Sequence, residues 1–411
     1  MIMRGNIRPA GRLVLAYSGG LDTSVAIRWL AEHKGYDVIA CAIDVGQVQP
    51  GELDRIRQRG LDCGAVESIV IDARDQFAED FVAHAIRANA LYMGKYPLVS
   101  ALSRPLITQH LITTAREHDA VAIAHGCTGK GNDQVRFEVT TMALAPDIAL
   151  EAPIREWGLS REAAIAWANE RNIPIPVKAS SPYSIDENLW GRTAECGILE
   201  DPWEEPPEEV YERTRALAKT PDEPDEVTIT FVDGMPVELD GKQLDLRSLI
   251  AELDQRAGVH GVGRIDMIED RLVGIKSREI YECPGAIAVL TAHRDLEDLC
   301  LEQELAQEKR SLEGRYAQLV YNGLWYSPLK TALDAFVASS QRFVRGEVRI
   351  RLFKGGATVA GRRSDIALYD HDLATYDEAD RFDHTQSEGF VKLWGLPTKV
   401  WSRRQGAIGA G

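Results

Sequence analysis

Leu13-Val14-Leu15-Ala16-Tyr17-Ser18-Gly19-Gly20-Leu21-Asp22-Thr23-Ser24 is the stretch on which the fold turns. An apolar run of strand length meets two adjacent glycines and then a helix-starting group, so it predicts a buried strand, a tight turn and a helix. Paired glycines let the backbone approach a ligand closely and adopt φ values closed to other residues. Asp22, Thr23 and Ser24 are expected to supply a cap and hydroxyl donors at the helix start. Unpaired N–H groups and the positive dipole end favour an anion there. Chemically this is a phosphate cradle. An ordinary strand–turn–helix corner is the competing reading.

Working outward, residues 12–17 read as the first strand and the helix runs from Asp22 to about His33, with Leu21, Val25 and Trp29 at helical spacing. Tyr36–Ile43 is a second, near-continuous apolar strand, the pattern of a parallel sheet covered on both faces. A helix over 51–62, a strand over 66–71 and a helix over 74–92 follow. Next come a helix with Pro105 in its first turn, a strand at 121–124, a strand near 148–152 and a helix near 160–171. This alternation predicts an α/β fold, a doubly wound parallel sheet. Such sheets bind ligands at the carboxyl ends of their strands. The two Gly-rich loops, at 18–24 and 125–133, both follow strands and so converge on one site.

The second half has a different character. Residues 195–226 are acidic and Pro-rich and read as an exposed connection. A hairpin is expected from 227–232 and 236–239 around Asp233-Gly234, then a helix over 245–257. Gly258, Gly261 and Gly263 resemble a dinucleotide spacing, but they follow a helix, so a loop approaching a ligand or another backbone fits better. Helical periodicity occupies 286–343, a second hairpin lies near 348–360, and the tail from about 366 is polar with apolar islands such as Phe390, Leu393 and Trp394.

The chain has 411 residues, is 45% hydrophobic and carries a net charge of −16, which bounds it to two or three globular domains and argues against nucleic acid as partner. No apolar segment of signal or membrane-spanning length occurs, so a cytoplasmic protein without membrane partner is expected. The six cysteines are scattered with no metal-ligand or redox spacing, so no resident metal is expected. They read as reduced and mostly buried, with Cys127 set apart by its Gly-rich loop.

Neither Gly-rich loop has the Gly-Lys-Ser or Gly-Lys-Thr ending of a Walker A loop. A cradle without that lysine can equally hold a pyrophosphate leaving group while the α-phosphorus is attacked. The second loop offers acceptors (Asn132, Asp133), donors (Thr128, Lys130, Asn132) and, one turn on, Arg136. Asp133 and Arg136 share a helix face and suit a zwitterion, one charge each. A helix-cap aspartate with a surface ion pair is the plainer alternative.

Ala16–Ser24 resembles the pyrophosphatase-loop signature of the N-type ATP pyrophosphatases. His125–Phe137 is similar to the second signature of one group of them, the argininosuccinate synthases, as are Ser184–Leu189, His260–Asp266 and Lys276–Glu282. The resemblance runs from about residue 12 to about 365. It implies an ATP-pyrophosphatase domain over 1–175, an α+β synthetase domain over 176–365 and an oligomerisation tail over 366–411 of a homotetramer. It also implies condensation of citrulline with aspartate through a citrullyl-adenylate, using ATP with Mg2+ and releasing AMP and pyrophosphate. By the resemblance, Ala16, Tyr17, Ser18, Gly19, Gly20, Leu21, Asp22, Thr23, Ser24, Ile43 and Gly126 contact ATP, and Thr128, Asn132 and Asp133 hold aspartate. Tyr96, Ser100, Asn132, Arg136, Ser184, Thr193, Glu269 and Tyr281 hold citrulline, and Asp22 and Asp133 take catalytic roles. Ile43 stands where the family usually has Ala, Thr193 where Ser is common, and Cys127 replaces an Ala. Another adenylating amidotransferase or tRNA-modifying enzyme of the same superfamily fits less well, because the chain has no glutaminase signature, no paired cysteines and a strongly acidic balance. A non-catalytic nucleotide sensor leaves the second loop and the long second half without a purpose.

Overall fold

The computed structural model describes residues 10–47, 51–158, 161–175 and 182–406. The chain divides into two compact units, Met1–Ile366 and Ala367–Gly411. In the first unit, β1 (Gly11–Ala16), β2 (Tyr36–Asp44), β3 (Glu67–Asp72), β4 (Ala120–Ala124) and β5 (Ala149–Glu151) form an all-parallel sheet in the order β3-β2-β1-β4-β5. Alternate side chains enter two separate cores. Val14, Ile39, Cys41 and Ile123 face one, and Leu13, Leu15, Val38, Ala40, Ala122 and Ala124 face the other. All ten are at most 2% exposed, and each large one contributes roughly 1.5–3 kcal/mol of burial. The sheet is therefore covered on both faces, as the apolar runs predict. Strand order reverses at β1, which lies between β2 and β4, and this opens a crevice at the carboxyl ends there.

Beyond residue 182 the strands are β6 (Ser184–Asn188), β7 (Gly191–Glu195), β8 (Asp225–Val232), β9 (Met235–Leu239), β10 (Lys242–Gln243), β11 (Arg264–Asp270), β12 (Lys276–Glu282), β13 (Gly346–Phe353) and β14 (Gly356–Arg363). They make two antiparallel sheets, β11-β12-β7-β6 and β10-β9-β8-β13-β14. The two expected hairpins are β8–β9 and β13–β14. Val227, Ile229, Phe231, Val348, Ile350 and Leu352 bury one face of the larger sheet in the core that also holds Leu249, Leu253, Val289 and Leu296.

Two expectations need correcting, and two gain detail. Pro105 is not in a first turn: the helix spans Val99–Glu117 with Pro105 inside it. An interior proline costs ~3 kcal/mol and one backbone bond, which burial of Val99, Ala101, Leu102 and Leu106 outweighs. The same residue type does begin the helices Pro284–Cys300 and Pro328–Gln341. The helix expected over 74–92 ends at Arg87, after a π-type turn at Ala78–Val82. Periodicity over 286–343 resolves into three helices, Pro284–Cys300, Gln303–Tyr321 and Pro328–Gln341. The 195–226 segment is largely exposed but not loose. Leu199 and Val210 are buried, and Glu282 accepts the backbone N–H groups of Glu212, Arg213 and Thr214 at 2.9 Å each.

Gly258–Arg264 approaches backbone, as expected, rather than a ligand. A Cβ on Gly258 would lie 2.2 Å from the Arg213 carbonyl, and one on Gly263 2.6 Å from the backbone of Cys283 and Pro284. All six cysteines are free thiols; Cys41, Cys63, Cys283 and Cys300 are buried. No helix among the described residues is long and apolar enough to cross a membrane. The second unit holds short helices at His371–Ala374, Thr385–Trp394 and Leu396–Trp401, and its Tyr376, Phe390, Leu393 and Trp394 are exposed.

Candidate active site

A cleft of about 570 Å³ opens at the carboxyl ends of β1, β2 and β4 and is also lined by the four-stranded sheet. Ala16, Tyr17, Ser18, Asp22 and Thr23 line it from the first loop, with Ile43 from β2 and Gly126 after β4. Gly19, Gly20, Leu21 and Ser24 do not, because they build the turn from behind. Gly19 has φ +74°, a Cβ on it would meet Arg59 Nη1 at 3.1 Å, and Arg59 Nη1 donates to its carbonyl at 2.7 Å. Ser24 is fully buried beside the Tyr17 hydroxyl, 3.2 Å away. The expected side-chain cap is absent. Gly20 occupies the cap position of the helix Leu21–Trp29 and so offers no capping side chain, while its own N–H donates to Ser18 Oγ at 3.3 Å and its carbonyl accepts from Thr23 Oγ1 at 3.5 Å. A helix start whose cap position carries no side chain, with the positive dipole end beside Asp22 and Thr23 of the cleft, suits a phosphate. A Cβ on Gly126 would lie 2.8 Å from Thr23 Cγ2, so the two Gly-rich loops touch only because that residue is glycine.

Residues 43–47 form the third wall. Gln47 braces this bend, donating to the Ile43 carbonyl at 2.8 Å and accepting from Val45 N at 2.7 Å. Asp44, 1% exposed, accepts from Gly46 N at 2.8 Å. Burial raises its carboxyl above the usual range despite that bond and Arg74 nearby.

The second loop leads into the helix Asp133–Leu144. Thr128, Asn132, Asp133 and Arg136 line the cleft; Lys130 is exposed and does not. Asn132 Nδ2 donates to the Tyr321 hydroxyl at 2.7 Å, and its Oδ1 accepts from Leu272 N at 2.9 Å. Its amide thus ties this loop to the β11–β12 turn and to the 303–321 helix. Asp133 and Arg136 share a face as expected, but they also pair with each other, at 2.7 Å. Arg104 takes the other Asp133 oxygen at 2.8 Å. Burial opposes the charge on Asp133, yet the two guanidiniums more than offset it and hold the carboxyl at about 2.

The four-stranded sheet supplies most of the remaining residues. Its register sets Ser184 opposite Glu195, Asp186 opposite Thr193, Thr193 opposite Tyr281 and Glu269 opposite Ser277. Ser184, Asp186, Thr193, Glu195, Glu269, Glu279 and Tyr281 all line the cleft. Glu269 accepts from the hydroxyls of both Tyr281 and Tyr321. Tyr96 stacks on Tyr281 at 4.1 Å, and its hydroxyl accepts from Ser100 N at 3.1 Å. Arg271 holds Glu279 at 2.6 Å and also pairs with Glu195. Burial and the Glu195 charge push Glu279 up to about 8 against Arg271. Thr193 Oγ1 is buried without a hydrogen-bond partner among the described residues.

One cleft thus joins an anion-ready helix start, a loop with both charge signs and a polar sheet face. Residues 12–174 match the family described as the arginosuccinate synthase N-terminal HUP domain, and 183–401 its C-terminal domain. A protein of Ligilactobacillus salivarius named argininosuccinate synthase is 58% identical over 392 residues, covering 95% of this chain and 96% of that one. Those of the same name from Geobacillus kaustophilus and Bacillus subtilis are 59% and 57% identical over 391 and 389 residues, again covering 95% and 96%. The chain belongs to the argininosuccinate synthase family.

Against that family's motifs, reading the sequence missed Arg104, Asp186, Glu195, Arg271, Glu279 and Tyr321. Asp186, Glu195 and Glu279 each stand two residues from a named position, so strand periodicity alone would have found them. Arg104 carried the signal of helical spacing, four residues after Ser100. Tyr321 had no local signal, because it meets Asn132 only through the fold.

Proposed function

We propose that the chain is an ATP-dependent carbon–nitrogen ligase that condenses citrulline with aspartate and releases argininosuccinate, AMP and pyrophosphate. The observation that carries the reading is the single cleft joining the Ser18–Ser24 turn to the Asp133 loop and the Ser184–Tyr281 sheet face. The turn, Thr23 and Gly126 bind the ATP phosphates, with Ile43 beside the base. Magnesium accompanies the phosphates, which supply oxygen ligands of the kind it prefers, and Asp22 is the nearby carboxylate. When bound, it neutralises the leaving pyrophosphate.

Tyr96, Ser100, Asn132, Arg136, Ser184, Thr193, Glu269 and Tyr281 seat citrulline. Its ureido oxygen attacks the α-phosphorus, and the bond to pyrophosphate breaks. Thr128, Asn132 and Asp133 then place the aspartate amine against the ureido carbon. The new C–N bond forms, the C–O bond to AMP breaks, and the amine loses a proton. Asp133, charged at every working pH, orients that amine, so its contribution is positional. In this reading residues 1–175 are the nucleotide domain, 176–365 complete the amino-acid site, and 366–411 promote a cytoplasmic homotetramer.

The test is pyrophosphate release from ATP with citrulline and aspartate supplied together or singly. Release that depends on citrulline is expected, with argininosuccinate appearing only when both amino acids are present. Equal release without citrulline overturns the reading.

A further inference from the structure

Arg104 belongs to no motif of the sequence, yet its guanidinium reaches two carboxylates on different elements. It donates to Asp133 at 2.8 Å and to Asp186 at 2.5 Å. Asp186 Oδ2 also accepts from Ser100 Oγ at 2.5 Å. Ser100 and Arg104 lie one turn apart on the 99–117 helix and so share a face. The chain Asp133–Arg104–Asp186–Ser100 therefore runs from the aspartate end of the cleft to the citrulline end. It ties together three elements: the 133–144 helix, the 99–117 helix and β6. Arg104 is suited to this by its planar fork, which offers separate N–H directions to two acceptors. A lysine at the same place is a point charge on a flexible stem.

Asp133 has both oxygens engaged, one by Arg136 and one by Arg104. The incoming aspartate amine must share a carboxylate whose position depends on where Arg104 is held. Arg104 is in turn anchored through Asp186, which contacts the citrulline-side Ser100. We propose that Arg104 is a positioning residue that couples the two amino-acid subsites, so that citrulline in its seat orders Asp133 for the aspartate amine. The proposal rests on the functional reading above. It predicts an energetic linkage that this reading alone does not require. Linkage is reciprocal, so aspartate must tighten citrulline by the same factor.

The experiment measures the aspartate dissociation constant of the full-length protein by calorimetry, with and without saturating citrulline. α,β-Methylene-ATP, whose α–β bridge resists cleavage, fills the nucleotide site throughout. In the unmodified chain citrulline should tighten aspartate by about fivefold or more, the usual lower range of such couplings. In Arg104→Lys and in Asp186→Asn the ratio should fall to near one. Both variants should bind α,β-methylene-ATP within about twofold of the unmodified protein. A ratio near one in the unmodified chain overturns the proposal, as does a ratio retained in both variants. Loss of nucleotide affinity in both makes Arg104 a brace of the fold and equally overturns it. The functional reading fails separately, by pyrophosphate release that ignores citrulline.

Discussion

Asp133 and Glu279 occupy one cleft and are driven in opposite directions. Two guanidiniums hold Asp133 at about 2, whereas burial beside Glu195 pushes Glu279 up to about 8. Replacing Asp133 by Ala removes a charge-assisted contact, a loss of roughly 1.5–3 kcal/mol. The aspartate KM should rise about tenfold or more, well beyond any change in the ATP KM; steady-state kinetics with each substrate varied checks this. Glu279 has a signature in stability. Its folded pKa lies above the unfolded value near 4.3, so the folded state binds more protons between about pH 4.3 and 8. Stability from this group is complete below that window and is lost as pH rises through it. Urea unfolding from pH 5 to 8.5 should show Glu279→Gln gaining on the unmodified protein as pH rises. A constant difference would contradict this. At this scale the contiguous motifs were legible because a loop carries its chemistry in consecutive residues. Asp186 and Glu279 lay inside such motifs without a named role, and Arg104 outside them, because what each does depends on partners set by strand register or by a neighbouring helix.

Among the elements, the glycines of the 258–263 loop show where sequence spacing misleads and where it informs. They imitate a nucleotide fingerprint, yet their purpose is contact between chain segments. Gly263 has φ +90° and room for no Cβ against Cys283 and Pro284. Gly263→Ala should destabilise by at least about 2 kcal/mol in urea unfolding. Gly314, in the 303–321 helix with nothing within 4 Å of its Cβ direction, is the control. Gly314→Ala should stabilise by up to about 1 kcal/mol. The parallel strands were legible as near-continuous apolar runs, since both their faces are covered. β6, β7, β11 and β12 were not read as strands, because their outward alternation is polar and charged and their partners are distant. Pro105 misled for a related reason: local backbone preference was outweighed by the core around the 99–117 helix.

For the whole molecule, the two units differ in how they are built. The first owns the three sheets and their cores; the second consists of short helices with exposed Tyr376, Phe390, Leu393 and Trp394. A chain ending at Ile366 should keep its far-ultraviolet dichroism per residue and its α,β-methylene-ATP affinity. In sedimentation the full chain should run as the proposed homotetramer and the truncated chain as smaller species. A truncated chain that stays tetrameric would remove the proposed role of the tail. The alternation of the first half identified its sheet from sequence. The larger antiparallel sheet was only half legible, as two hairpins, because β8 pairs β13 across the intervening helices.

The bond from Asn132 to Tyr321 spans 189 residues, and Glu269 joins the same tyrosine from β11. The nucleotide turn near residue 20 is made early in synthesis, long before the tyrosine that closes the amino-acid side. A ribosome adds roughly 5–20 residues per second and N-terminal parts fold first. For many seconds, then, the emerging chain has the residues to hold ATP but not to activate anything with it.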